Sequence, residues 1–113
     1  MPEYAVLIYE HVAPEDLPAE VMAGHEGLPD RIAEAGGRTI AGFALQEPST
    51  ATSIRGGLLT DGPFIETKEV LRGIYLMEAR DLDHALELAG MTPIVEGGVE
   101  VRPLLGFEVV EDS

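Results

Sequence analysis

The 113-residue sequence predicts an α+β domain, one sheet carrying two helices, and three observations predict it. Four short runs at 4–9, 38–45, 73–79 and 99–105 are apolar and rich in β-branched or aromatic residues, as strands are. Two longer segments, one after the first run and one after the third, place apolar residues at helical spacing. Glycine, proline and aspartate clusters separate these pieces at the lengths a single compact domain uses.

Tyr4 to Tyr9 (YAVLIY) is apolar on both faces, which places it in the middle of its sheet. The proline-marked stretch Ala13 to Pro18 leads into a helix on which Leu17, Val21, Leu28, Ile32 and Ala35 share a face, stopped by Gly36 and Gly37. Pro29 falls inside this pattern. It has no N–H for the carbonyl of His25, so the helix either kinks there or breaks and restarts with Pro29 in its first turn. Arg38 to Leu45 (RTIAGFAL) is a second strand, with Gly42 marking a bulge.

Ala51 to Arg55 and Gly57 to Thr60 flank Gly56 as a hairpin projecting from the main sheet. Asp61-Gly62-Pro63-Phe64 is a turn by its chemistry, and the charged stretch Glu66-Thr67-Lys68-Glu69 follows it. Gly73 to Ala79 (GIYLMEA) is a second central strand. Asp81 caps a second helix whose buried stripe reads as Leu82, Ala85, Leu86 and Ala89, with His84 facing solvent. After Gly97 and Gly98, Val99 to Leu105 alternates, with Val99, Val101 and Pro103 on one face and Glu100 and Arg102 on the other. The acidic tail from Glu108 to Ser113 is expected to fray. The order is βαββαβ with an inserted hairpin, a ferredoxin-like sandwich forming one domain over 1–113. Both helices then cover one sheet face. The apolar central strands predict that a second copy covers the other, giving a homodimer.

Composition narrows the partners. With 21 Asp and Glu against 7 Lys and Arg, the formal charge is -14, which repels nucleic acid and anionic membrane. The sequence contains no cysteine, so thiol chemistry and disulfides are excluded. No signal peptide or membrane-length apolar run is visible, and a cytoplasmic location is the default expectation. HExxH, paired histidines at helical spacing, an Asp-rich calcium loop and a Gly-rich phosphate loop are all missing, so neither metal nor cofactor is expected.

The run Thr60-Asp61-Gly62-Pro63-Phe64-Ile65-Glu66-Thr67-Lys68-Glu69, with Gly73-Ile74-Tyr75-Leu76 and Val99-Glu100-Val101-Arg102-Pro103-Leu104, resembles the DGPF branch of the YCII-related proteins. The apolar first strand and the histidine in the first helix agree, and the likeness extends over nearly the whole chain. Pro29 departs from the family's uninterrupted helix. The resemblance implies a ferredoxin-like fold, a dimeric α/β-barrel arrangement, and a cleft with a histidine and an acid as its active pair. Related dimeric α/β-barrel proteins include isomerases and dehydrochlorinases of oxidised ring compounds.

His25 is the sharpest candidate. On a continuous helix it flanks the buried face between Val21 and Ile32, where it is either a general base beside a cleft or a core-edge imidazole with one partner. Asp61 either builds its turn or is delivered to the cleft, where it orients His25 or accepts a substrate hydroxyl. Phe64 would anchor or cover the cleft, and Lys68 would hold an anionic group. Tyr75 is core or cleft wall. Arg102 shares a strand face with Glu100 and either forms an ion pair across the dimer contact or clamps a carboxylate. His11 belongs to a loop. Two functions follow: a small cofactor-independent lyase or isomerase using His25 on a small oxygenated metabolite, or a non-catalytic dimer that binds a small ligand or a partner.

Overall fold

The computed structural model describes residues 1–64 and 70–110. The charged stretch that includes Lys68 and the last three residues lie outside the described residues. Among the described residues six strands and two α-helices run in the order β1 (Glu3–Glu10), α1 (Ala19–Glu34), β2 (Arg38–Ala44), β3 (Thr52–Arg55), β4 (Leu58–Asp61), β5 (Leu71–Glu78), α2 (Leu82–Ala89) and β6 (Gly97–Pro103). The main sheet is ordered β2-β5-β1-β6 with every neighbouring pair antiparallel. That order, with the two helices as crossovers, is compatible with a ferredoxin-like sandwich. β1 and β5, the two strands with least polarity, are the central pair.

β3 and β4 form a separate two-stranded sheet in which Ile54 faces Leu59 and Arg55 faces Leu58. Its two-residue turn, Gly56-Gly57, has φ of +56° and +84°, a conformation that glycine adopts without steric cost. The hairpin therefore stands where the sequence puts it. Ile54, Leu58 and Leu59 at its tip are 66–74% exposed.

The core lies between the helices and one sheet face. Val6, Ile32, Met77 and Leu88 are fully buried, with Tyr4, Leu28, Tyr75 and Ala85 around them. β1 and β5 supply every second residue to this core, as the period of a strand requires. Leu7, Ile74 and Leu76 point the other way and are only partly covered; Phe43, opposite Ile74, is 56% exposed.

α1 neither breaks nor restarts at Pro29. The Arg31 guanidinium reaches back to the Gly24 carbonyl at 3.1 Å, so a side chain serves a carbonyl in the turn that the proline disturbs. The helix ends in a Schellman motif: Gly37 N–H donates to the Ile32 carbonyl at 2.9 Å and Gly36 N–H to Ala33 at 3.1 Å.

Two expectations are corrected. The register irregularity in β2 falls between Thr39 and Ala41, not at Gly42, because Ile40 is the extra residue opposite β5. The buried face of α2 is His84, Ala85, Leu88 and Ala89, while Leu82 and Leu86 are about half exposed. Asp81 does cap the helix, its Oδ1 accepting from His84 N–H at 2.8 Å. His84 itself is 3% exposed. Its Nδ1 accepts from Arg80 N–H at 3.1 Å, so Nε2 carries the proton and donates to the Ala35 carbonyl at 2.8 Å, at the end of α1. One imidazole thus satisfies two backbone groups that a leucine would leave unpaired, and the helix turns that side inward.

Candidate functional site

The stretch of α1 from Met22 to Pro29 does not seal the sheet. Between it and the ends of β1, β2 and β5 is a partly open cavity of about 410 Å³, within the size range of small-ligand pockets. Its walls are mainly apolar, including Ile8, Leu17, Met22 and Leu28, and its polar side chains are Glu10, His25, Thr39, Arg72 and Tyr75.

His25 reaches this cavity because it flanks the Leu28 and Ile32 face of α1, as the helical spacing predicts. Burial lowers its pKa from 6.5, and Arg31 acts in the same direction. The Glu10 carboxylate and the polar backbone of Pro93 act against this, but the net shift is downward, leaving the ring neutral at pH 7. A neutral imidazole keeps a lone pair on one of its two ring nitrogens. Pro93 comes close because Gly24 has no side chain: a Cβ there would lie 3.0 Å from Pro93 Cγ.

The acid beside His25 is Glu10, at the end of β1. It is 3% exposed, yet its carboxylate is well solvated by protein: Oε1 accepts from Val95 N–H at 2.7 Å, and Oε2 from Glu96 N–H at 2.8 Å and Val12 N–H at 3.4 Å. Burial pushes its pKa up. The three N–H groups and the Arg72 charge outweigh that, holding it below 4.5. Glu10 therefore fixes the loop between α2 and β6, the loop that brings Pro93 to His25.

Arg72 closes the polar end. Its Nε donates to the Glu10 carbonyl at 2.9 Å, and Nη1 pairs with Glu47 at 2.9 Å. Tyr75 lines the cavity from β5 and its hydroxyl is hydrogen-bonded to Thr92 Oγ1 at 2.8 Å; burial raises its pKa despite that bond. Among the described residues no three His, Asp or Glu side chains converge as metal ligands would.

Of the residues singled out in the sequence, His25 and Tyr75 share this cavity. Asp61 ends β4 on the projecting hairpin, exposed, and does not line it. Phe64 lines a second hollow at the hairpin's base, with Arg55 4.0 Å above its ring. Arg102 pairs with Glu100 at 2.5 Å, away from the cavity and 71% exposed. Lys68 lies outside the described residues. Glu10 and Arg72 are the site residues that sequence reasoning missed. A signal for Glu10 was present: it continues the alternation Tyr4, Val6, Ile8 onto the buried face, where an acid needs a partner.

Residues 2–108 match the YCII-related domain. An uncharacterized protein of Rhizobium meliloti (strain 1021) is 34% identical over 115 residues, an alignment covering 89% of this chain and 90% of that protein. No helix among the described residues is long and apolar enough to cross a membrane. A match across nearly the full length, on a βαββαβ frame with a histidine in its first helix facing a cavity, places the chain in the YCII-related family.

Proposed function

We propose that the cavity binds a small oxygenated metabolite and that His25 acts on it as a general base, in a proton-transferring reaction of the isomerase or lyase type. The observation that carries this reading is the position of His25, a partly buried imidazole that is neutral at pH 7, on the wall of a mainly apolar cavity. Such a base matches neutral pH, and apolar walls strengthen its interaction with developing charge. In the proposed step the unprotonated ring nitrogen takes a proton from an activated C–H beside the oxygenated centre of the ligand. The electron pair stays on the ligand as an enolate-type anion. The proton returns at another atom in an isomerisation, or a leaving group departs in a lyase reaction. Glu10, through its charge and its loop, favours the imidazolium that forms. The step as proposed draws only on residues of this chain.

The test is hydrogen exchange. Incubating the protein in D₂O with a panel of small hydroxy and keto compounds should put deuterium at a carbon beside the oxygenated centre of one of them. His25→Gln should abolish this while keeping the fold. Exchange that persists in His25→Gln would remove the base from the mechanism.

The same proposal includes a homodimer with sheets facing, in the dimeric α/β-barrel arrangement of the DGPF branch. It is supported by the partly covered row of Phe43, Ile74 and Leu7, which neighbour one another across β2, β5 and β1. Leu7→Glu should halve the mass measured by light scattering; an unchanged mass would argue against this face as the contact.

A further inference from the structure

We infer that the ligand of the His25 cavity is an uncharged carbonyl compound whose oxygen accepts a hydrogen bond from the Arg72 guanidinium. The inference deepens the proposed function and rests on its reading of the cavity as a ligand site. It adds Arg72 as the group that takes up negative charge as it develops on the ligand.

Arg72 is the one arginine or lysine on the cavity wall, and its side chain is 12% exposed. A guanidinium is always a donor and carries five N–H groups in a rigid plane. Three of them point at acceptors of this chain: Nε at the Glu10 carbonyl at 2.9 Å, Nη1 at the Glu47 carboxylate at 2.9 Å, and Nη2 at the His11 carbonyl, stretched to 3.5 Å. One N–H on Nη1 and one on Nη2 meet no acceptor among the described residues. The same three bonds hold the guanidinium plane in place before any ligand arrives, the condition under which a donor stabilises developing charge best. The hydroxyls on the wall are committed elsewhere. Tyr75 is bonded to Thr92 at 2.8 Å, and Thr39 Oγ1 is sealed from solvent.

Charge and geometry then select the acceptor. A carboxylate is gripped by an arginine through two parallel bonds, and the Nε–Nη2 edge that makes them is occupied by the Glu10 and His11 carbonyls. The Arg72 charge is already matched by Glu47 and acts on the Glu10 carboxylate, so an anionic ligand would be a third carboxylate on one cation, in a chain of formal charge -14. An uncharged oxygen takes a spare N–H without displacing Glu47. Among such oxygens, a carbonyl joins Arg72 to the proposed chemistry. When His25 removes a proton from the carbon beside it, the C–H electron pair becomes a C=C bond and the carbonyl π pair moves to oxygen. Negative charge therefore arises on the atom that faces Arg72, and that hydrogen bond strengthens. Reprotonation at carbon restores the carbonyl. Both side chains line one cavity of about 410 Å³, small enough for one ligand to meet both.

The experiment uses three probes with the same six-membered ring: cyclohexanone labelled with ¹³C at its carbonyl, methylenecyclohexane, in which CH₂ replaces the oxygen, and cyclohexanecarboxylate. Each is titrated into the full ¹⁵N-labelled chain at pH 7.5, following backbone amide shifts and the Arg72 Nε–H signal. The ketone should bind about tenfold tighter than the hydrocarbon, the ratio that one hydrogen bond to a charged group supplies, and tighter than the carboxylate. Its carbonyl ¹³C signal should move downfield on binding, and the Arg72 signal should shift with it. In Arg72→Met the tenfold preference and the ¹³C shift should both vanish while the hydrocarbon binds as before. Arg72 also ties down the end of β1, so the wild-type comparison of ketone with hydrocarbon decides the matter if that variant does not fold. Equal binding of ketone and hydrocarbon, or a ¹³C shift that persists in folded Arg72→Met, would overturn the carbonyl contact and leave the cavity as a ligand site. Tighter binding of the carboxylate would overturn the uncharged class. Failure of all three to perturb cavity residues would overturn the inference together with the ligand-site reading. Selective, Arg72-dependent binding of the ketone without deuterium exchange on any compound of the panel would support the carbonyl contact and count against proton transfer by His25.

Discussion

Glu10→Gln changes one atom in a side chain that accepts three backbone N–H groups beside the cavity, and its cost can be worked from the geometry. The carboxylate receives one short bond at each oxygen, 2.7 Å from Val95 and 2.8 Å from Glu96. An amide keeps one acceptor. Its NH₂ must face the other N–H, so one charge-assisted bond, worth about 1.5–3 kcal/mol, is lost and the surviving bond loses its charge assistance. The total is about 2–4 kcal/mol at pH 7, a large part of a small domain's stability. The pH dependence has a definite sign. The folded pKa of Glu10 lies below its ordinary 4.5, so its contribution is complete above pH 4.5 and is lost as pH falls through the folded value. Urea unfolding followed by circular dichroism, for wild type and variant at pH 7 and near pH 3, reads the gap directly. Other titrating acids are common to both chains and cancel. The gap should be full at pH 7 and shrink in acid. Equal stability at pH 7, or a gap that ignores pH, would refute the reading of Glu10 as a charged staple.

Three further outcomes are expected. His84→Ala, which strips the Ala35 carbonyl and the Arg80 N–H of their partner and leaves a void, should cost about 3 kcal/mol in denaturant unfolding. Asp81→Ala should cost about 1 kcal/mol by the same measurement, from the lost cap on α2. The lowered pKa of His25 means that the unfolded chain takes up its proton first, so this group costs stability as pH falls below 6.5. His25→Gln should therefore flatten the slope of stability against pH just below 6.5, measured by thermal unfolding across a pH series; an unchanged slope would count against a buried, neutral His25.

The fold was largely legible because its signals are local. Apolar runs of strand length, the Gly56-Gly57 turn and the Asp81 cap each depend on a few neighbouring residues, and all stand where their chemistry puts them. The phase of α2 was not legible in the same way. Ala85 and Ala89 fit two faces, and hydrophobicity favours the one with Leu82 and Leu86. The choice falls to His84 through two backbone groups, one of them 49 residues away in sequence. The site divides along the same line. His25 and Tyr75 follow from helical and strand periodicity. The acid does not, because Glu10 meets its partners 85 and 86 residues further along the chain, in a loop whose position only the folded sheet determines. Asp61 sits in a conspicuous motif, yet β3 and β4 carry it out on a sheet of their own.

The action of the Glu10 charge on His25 is tested most directly by an NMR titration of the three histidine side chains, assigned by single substitution and repeated in Glu10→Gln and Asp61→Asn. His25 should titrate below 6.5 in the wild-type chain, move lower still when the Glu10 charge is removed, and ignore Asp61→Asn. A His25 that titrates at 6.5 or above, or that responds to Asp61 and not to Glu10, would contradict this account and return the acid's role to the projecting hairpin.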